Sequence, residues 1–469
     1  MSSLEQPKKF RIPHTFVILF SIILLMAAAT WIVPGGEYER AKNKAGRTVV
    51  VANTYHEVES NPQGIKQVFM APLTGIEKGA DIAGFILIVG GTFAVIQRSG
   101  AIDAGVMRLL NILKGKEIIF IPIAMTLFSV GGAVFGMSEE VIPFVGIFVP
   151  IALAMGYDRI TGMCIPYIGS HVGFAGAMLN PFTVGIAQSI AELPAFSGLE
   201  YRTGVWAVST LVAIVFVMWY AKRVKKNPQL SITYEEDKIA RQQLPGHDNT
   251  AVSMTSSHTV ILWLLLASMV LIIYGVIKWE WYIGEIAAVF LALGILAGLA
   301  AKAGPSEISE QFIAGAKDML STALVVGLAR AIVVLATDGK IIDTMLYALA
   351  SPLAGLPSLF CAYAMFVVQI VVNFFVGSGT GQAALTIPIM APLGDLVGIT
   401  RQTTVLIYQF GNGFTDMSVP TSAVLVGSLG MAGIPWGKWV KVMLPLQIIF
   451  LILCLLMITP AVFMHWGGV

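Results

Sequence analysis

The sequence predicts an all-α polytopic membrane protein, an inverted repeat with two re-entrant hairpins and two broken transmembrane helices. Composition is the first observation behind this: of 469 residues, 56% are hydrophobic and 12% charged, and mean hydropathy is +0.80. A soluble chain carries about 25% charged residues, so this one crosses a bilayer many times. The second observation is a pair of Gly- and hydroxyl-rich tips inside apolar runs, Gly136-Met137-Ser138-Glu139-Glu140 and Gly377-Ser378-Gly379-Thr380-Gly381-Gln382. Each is followed by an apolar segment interrupted by polar residues and a proline, at Met178-Leu179-Asn180-Pro181 and at Asp416-Met417-Ser418-Val419-Pro420. Irregular backbone at membrane depth survives only where protein buries it or where it lines a cavity. The third observation is that the two stretches align on punctuation. Ser138 falls with Thr380, Pro150 with Pro392, Gly156 with Gly398, Arg159 with Arg401 and Thr161 with Thr403 at one offset; small gaps add Gly173-Phe174 with Gly413-Phe414 and Pro181 with Pro420. Matched breaks in two halves mark the binding site of secondary transporters.

Each element follows from length and charge placement. Lys8, Lys9 and Arg11 precede an apolar run that continues to about Val33 without a small-residue cleavage site. Residues 1–13 are therefore read as cytoplasmic and 14–34 as a retained first span. Residues 35–80 read as a polar excursion without strong periodicity, followed by a span over 82–98 and the basic residues Arg98, Arg108, Lys114 and Lys116. The segment 118–155 reads as a hairpin dipping to mid-membrane: as two full crossings each arm has only about 15–18 residues against the roughly 20 a bilayer needs. A broken span over 161–190 and a return over 204–220 lead to Lys222-Arg223-Val224-Lys225-Lys226, the densest basic cluster, on the cytoplasmic side.

Residues 14–221 form one half and 222–257 a cytoplasmic linker marked by Pro245-Gly246. Residues 258–469 form the second half. It has spans over 258–278 and 283–302, an amphipathic stretch near 305–317, a span over 319–336, a hairpin over 358–395, a broken span over 403–430 and a last span over 443–464. The carboxyl end then lies outside. Asp338-Gly339-Lys340-Ile341 echoes Ser99-Gly100-Ala101-Ile102. Cys164, Cys361 and Cys454 lie in apolar segments, so no disulfide framework is expected. The net charge of +2 gives no reason to expect a nucleic-acid partner.

Candidate chemistry gathers at the tips and breaks. Helix ends at mid-membrane leave N–H or C=O groups that bind ions and charged ligand groups. Ser138, Ser378, Gly379, Thr380 and Gln382 are placed to line a substrate site at the tips, and Asn373 stands at the second hairpin's entry. Asn180 and Thr183 supply acceptors at the first break, and Asn412, Asp416, Ser418, Thr421 and Ser422 at the second. A Na⁺ site is expected near Gly136, Ser138, Gly377 and Ser378.

Glu139 and Glu140 are the sharpest feature, because a charge at mid-membrane costs about 2.5–3.5 kcal/mol. They call for a cation, a proton or a positively charged substrate. Arg330, where the other half has Gly91, fits two roles: partner of a substrate carboxylate, or structural partner of Asp416 or a tip glutamate. His171 reads as a packing residue. No nucleotide-binding P-loop, Cys/His metal spacing or nucleophile elbow is present, so no enzyme is expected.

The runs 131–140, 373–386 and 391–398, with Trp31-Ile32-Val33-Pro34-Gly35-Gly36 and Arg223-Val224-Lys225-Lys226-Asn227-Pro228, resemble the YfcC-type basic amino-acid antiporters. These fall within the anaerobic C4-dicarboxylate carrier and arginine/ornithine antiporter family of the ion transporter superfamily. The resemblance implies a bacterial inner-membrane protein, homodimeric, with a scaffold domain and a transport domain that moves elevator-fashion. Two departures stand out. Relatives tend to carry Gly-Asp-Gly-Phe-Ser-His where this chain has Gly411-Asn412-Gly413-Phe414-Thr415-Asp416, and some carry Lys in place of Arg330.

The leading expectation is a secondary active transporter, by exchange or cation coupling, for amino acids, basic ones first: arginine, ornithine or lysine. No cofactor beyond a coupling Na⁺ or H⁺ is expected. The alternative is a C4-dicarboxylate or other organic-anion carrier coupled to protons or Na⁺; a third reading is a channel or a non-transporting membrane scaffold.

Overall fold

The structure, a computed structural model, describes residues 15–42, 48–51, 54–102, 104–105, 108, 117–194, 196–242, 254–279, 281 and 283–467. The expected cytoplasmic terminus 1–13, Lys114, Lys116 and Pro245-Gly246 lie outside the described residues. Among the described residues six helices are long and apolar enough to cross a membrane, or seven if one bent pair counts as a single span.

Helix α1 (Thr15–Ile32) leads into strands β1 (Gly36–Glu37), β2 (Arg40–Lys42), β3 (Thr48–Val50) and β4 (His56–Glu57). β1 pairs antiparallel with β4, Gly36 opposite Glu57, and β2 with β3, Arg40 opposite Val50. Asp343 holds this layer down by accepting from the Tyr38 N–H and from Arg40. Helix α2 (Ile65–Lys78) then fills the end of the stretch that reads as unpatterned in sequence. Its buried face is Val68, Ala71 and Gly75, while Ile65, Phe69 and Leu73 are exposed. Ile65, Phe69, Leu73 and Ile76 recur at helical spacing, so this stretch carries a helical period that reading it as unpatterned misses.

Helix α3 (Ala80–Arg98) follows, then α4 (Glu117–Phe135), a short turn at Glu139–Val141, α5 (Ile142–Ala154) and α6 (Arg159–Gly176). A wide turn at Pro181–Gly185 leads to α7 (Ile186–Ile190) and α8 (Leu199–Lys226). The basic cluster at 222–226 is thus the last turn of α8 and not the start of the linker. The linker carries α9 (Tyr234–Gln242). The second half holds α10 (Ser256–Trp279), α11 (Ile283–Ala300), α12 (Pro305–Asp318), α13 (Leu320–Asp338), α14 (Ile342–Ala350), α15 (Ser358–Val376), α16 (Gly379–Leu396), α17 (Arg401–Gly413), α18 (Ala423–Ala432) and α19 (Trp436–Phe463). α19 begins seven residues before the expected 443 and takes in Lys438 and Lys441. α4 has 19 residues, more than the short arm expected, so its length alone suits a full crossing.

Helix lengths recur along the chain. α2 and α12 have 14 residues each, α3 and α13 have 19, α4 and α15 have 19, and α8 and α19 have 28. They also exchange contacts: α2 packs on α13 and α12 on α3. Small residues allow both crossings, since a Cβ at Gly75 would sit 2.2 Å from the Gly327 carbonyl oxygen and one at Gly315 2.4 Å from that of Gly90. At the two joints, a Cβ on Gly90 would meet Met319 Cγ at 2.3 Å and one on Gly79 would meet Arg330 Cγ at 3.1 Å. Packing therefore matches Arg330 with Gly90, one residue from the expected Gly91.

Two arginines repeat as well. Arg159 donates to the carbonyls of Ala432 and Gly433 at the end of α18. Arg401 donates to the carbonyl of Ala191 at the end of α7.

Candidate functional site

Each tip and break is set by local chemistry. α4 stops at Gly136, whose φ of 72° is left-handed and favours glycine; a Cβ there would also lie 2.6 Å from Asn180 Oδ1. Ser170 donates to the Met137 carbonyl at 2.6 Å, fastening the tip to α6. α6 ends at Ala177, also left-handed at 41°. Asn180 caps the next turn, its Oδ1 accepting from the N–H groups of Phe182 and Thr183.

In the second half α15 ends at Gly377, with φ 56°, and Ser378 caps α16 by accepting from the Gly381 N–H. Gly379 is pressed against the first half, since its Cβ would lie 2.7 Å from Thr183 Cγ2. Its carbonyl accepts from the Tyr408 hydroxyl at 2.6 Å. Ser422 caps α18 and donates to Asp416 Oδ2 at 3.2 Å.

These pieces enclose one cavity of about 330 Å³. Four helical N-termini open onto it, at Glu139, Phe182, Gly379 and Ala423. Its wall carries three carboxylates, Glu139, Glu140 and Asp416, and one guanidinium, Arg330. Arg330 and Asp81 are close enough to Glu139 to act on it electrostatically, and so are Glu139 and Asp416 on each other. Glu140 is turned back on its own tip, where Oε2 accepts from the Ser138 N–H at 2.9 Å. The chemistry is two-signed: oriented N–H groups and Arg330 suit an anionic group, and the carboxylates suit a cationic one.

Ser138, Glu139, Glu140, Thr183, Arg330, Ser378, Gly379, Thr380, Asn412, Asp416, Thr421 and Ser422 line the cavity, as do Gly136 and Gly377. Asn180, Asn373, Gln382 and Ser418 do not; each spends a polar atom behind the wall. Asn180 caps a turn, Asn373 donates to Thr415 Oγ1, Gln382 donates to Gln369, and Ser418 donates to Gln447 Oε1. Asn180 Nδ2 and Thr183 Oγ1 are buried without a partner. His171 bonds the Tyr167 carbonyl through Nδ1. Among the described residues no three His, Cys, Asp or Glu gather as a metal set.

Phe174, Phe182 and Trp281 belong to the wall but escape a reading of the sequence. Aromatics in apolar context carry no local signal, and Trp281 arrives from the α10–α11 connection. A second cavity of about 430 Å³ shares Val333 and Val376 with the first and leads to the strand layer past Thr337, Lys340, Asp343, Arg40 and Glu37.

Comparison with known proteins places the chain in a family. The chain is 38% identical over 483 residues to "Putative basic amino acid antiporter YfcC" of Escherichia coli (strain K12), covering 94% of this chain and 95% of the relative. It is 30% identical over 501 residues to an uncharacterized protein of Haemophilus influenzae, covering 98% and 97%. Among solved structures, the Alcanivorax borkumensis YdaH transporter aligns at TM-score 0.43 and 14% identity over 97% of this chain and 99% of that one. Neisseria gonorrhoeae MtrF, from a class of antimetabolite efflux pumps, aligns at 0.42 and 17% over 97% and 96%. Likeness this loose carries no argument about the site. The sequence profile of the C4-dicarboxylate anaerobic carriers matches residues 12–462. The chain therefore belongs to the C4-dicarboxylate anaerobic carrier family and is a multi-pass membrane transporter.

Proposed function

We propose that the protein is a secondary active antiporter or cation-coupled carrier of amino acids, basic ones first. One observation carries this reading: a single cavity joins four helix N-termini and Arg330 to Glu139, Glu140 and Asp416. An α-carboxylate is held by the Ser378–Thr380 end of α16, with or without Arg330, and the cationic end of arginine, ornithine or lysine meets Glu139. Like charges at about 4 Å repel by about 4 kcal/mol at an effective dielectric of 20. A dicarboxylate would satisfy the N-termini with one end and present the other to three carboxylates. The relative named as a basic amino acid antiporter agrees with this assignment.

The transport cycle we propose is elevator-like. Both hairpins dip to mid-membrane from opposite faces; in support, their tips share the cavity with Val326, Ala329, Arg330 and Val333, from the middle of α13. The repeated helix lengths and the paired roles of Arg159 and Arg401 support an inverted repeat of 14–221 and 258–469 joined by the 222–257 linker. A homodimer in a bacterial inner membrane, with a cytoplasmic amino terminus, completes the reading. The coupling ion is Na⁺ or H⁺, with carbonyls at Gly136 and Gly377 available to a cation.

The second reading, a C4-dicarboxylate carrier, is favoured by the N-termini and Arg330 alone, with the glutamates then serving the coupling ion. Reconstituted vesicles separate the two. Saturable uptake of labelled arginine that requires internal ornithine is expected; uptake of succinate that arginine does not inhibit overturns the first reading. Non-saturating flux at channel-like rates overturns both.

A further inference from the structure

We infer that a buried amide network behind the second tip fixes Asn412 with its oxygen toward the cavity, so that the site demands an N–H donor, the substrate's α-ammonium, beside the α16 N-terminus. This rests on the amino-acid reading and identifies the group that selects within it.

An Asn side chain can present either its oxygen or its NH₂, and only its partners decide which. Here the partners are anchored to main-chain carbonyls, whose role is never ambiguous. Gln382 Nε2 lies 2.9 Å from the Gln369 carbonyl oxygen, so the NH₂ end of Gln382 faces that way and its Oε1 faces Asn412. The Thr415 hydroxyl donates to the Gly411 carbonyl, so toward Asn373 it can only accept, and Asn373 turns its NH₂ to Thr415 at 3.0 Å. That leaves Asn373 Oδ1 facing Asn412 as well. Two acceptors thus claim Asn412 Nδ2, at 2.9 Å from Asn373 and 3.1 Å from Gln382. Reversing the Asn412 amide would set its oxygen against both and leave three buried acceptors unpaired.

The free atom is consequently Oδ1. It faces Gly379, whose Cβ would lie 3.1 Å from it, at the first turn of α16. A carboxylate bound at that N-terminus carries its α-ammonium one carbon away, within reach of an acceptor beside Gly379. Gln369 takes part twice, through its carbonyl and through Oε1, which accepts from Gln382 at 2.8 Å and Thr386 at 3.2 Å. Gln369, Gln382 and Asn373 are positioning residues and do not line the cavity themselves.

The test compares inhibition constants for arginine and for the guanidino acid that lacks the α-amine, in vesicles. Wild type is expected to prefer arginine. Asn373→Leu and Gln382→Met each remove one acceptor and are expected to shrink that preference; the double variant is expected to reduce it by about tenfold to a hundredfold, the range for one hydrogen bond to a charged group. A purely structural role would lower the rate while leaving the ratio of constants alone. An unchanged ratio in either single variant that still transports overturns the inference. If wild type itself takes up no amino acid, the amino-acid reading has failed first, and the two failures are told apart.

Discussion

Thr380, at the second tip, donates its hydroxyl to the main-chain carbonyl of Phe182, 2.9 Å away in the first broken segment. The contact bridges residues nearly two hundred positions apart and joins the two halves at the cavity wall. Thr380→Val keeps the shape and removes the donor, leaving a carbonyl without its partner. Its cost is about 0.5–1.5 kcal/mol, seen as a roughly two- to tenfold fall in uptake at limiting substrate. Thr380→Ser retains the donor and is expected to behave as wild type in the same vesicle assay.

Glu139 and Glu140 are adjacent but differently employed. Glu140 spends an oxygen on the Ser138 N–H, a bond that glutamine can also accept. Glu139 stands within electrostatic reach of Arg330, Asp81 and Asp416. Glu139→Gln is therefore expected to cut uptake of a cationic substrate about tenfold or more, the loss of one charged hydrogen bond, and Glu140→Gln to stay within about threefold. Equal effects of the two substitutions would contradict this division of labour.

Helix α4 crosses α6 through a reciprocal glycine contact. A Cβ at Gly132 would lie 2.0 Å from the Ser170 carbonyl oxygen, and one at Gly173 1.9 Å from that of Ser129. Both obstacles are backbone, so neither gives way without moving a helix. Gly132→Ala and Gly173→Ala are each expected to destabilise by about 1–3 kcal/mol, read as a lower thermal midpoint in detergent. Ala substitution at Gly84, whose Cβ would meet nothing within 4 Å, is the control.

On the linker, α9 brings Asp237 against Arg159, with Thr233 donating to the same carboxylate. Asp237→Ala removes the ionic partner of Arg159 and is expected to cost about 3–5 kcal/mol, whereas Asp237→Asn keeps one oxygen acceptor, for Arg159 or for Thr233 but not for both, and costs less. Burial, opposed by Arg159 and Thr233, holds the Asp237 carboxyl above its usual range. A carboxyl raised in the folded state adds stability that is fully present below its unfolded value of about 3.9 and is lost as pH climbs through the folded one. The thermal midpoint of wild type relative to Asp237→Asn is thus expected to be greatest at acidic pH and to decline through the mildly acidic range.

Much of the cavity wall was legible because glycine and hydroxyl runs inside apolar segments have few other uses. Twelve candidate substrate residues do line it, Ser138 and Thr380 among them, with Gly136 and Gly377 beside them. Direction was not legible. Asn373 and Gln382 sit beside wall residues yet face the other way, because a helix's orientation about its axis depends on neighbours distant in sequence. Gln369 carried a usable signal, one amide amid Val367-Val368 and Ile370-Val371, since a polar group in such a run needs a partner. The strands, two or three residues each, are too short for alternation to register.

Access to the cavity is the remaining consequence of its walls. The chamber beyond Val333 and Val376 runs toward the strand layer between two ion pairs, Lys340 with Glu37 at 3.3 Å and Arg40 with Asp343 at 2.9 Å. Thr337 is exposed in that chamber one turn beyond Val333. The native cysteines, Cys164, Cys361 and Cys454, are buried and give little background. Thr337→Cys is therefore expected to react with a membrane-impermeant thiol reagent added on the strand face, with or without substrate, because it lies on the strand side of Val376. Reaction only from the linker face would mean that the chamber is no entrance and that substrate reaches Arg330 from the opposite side.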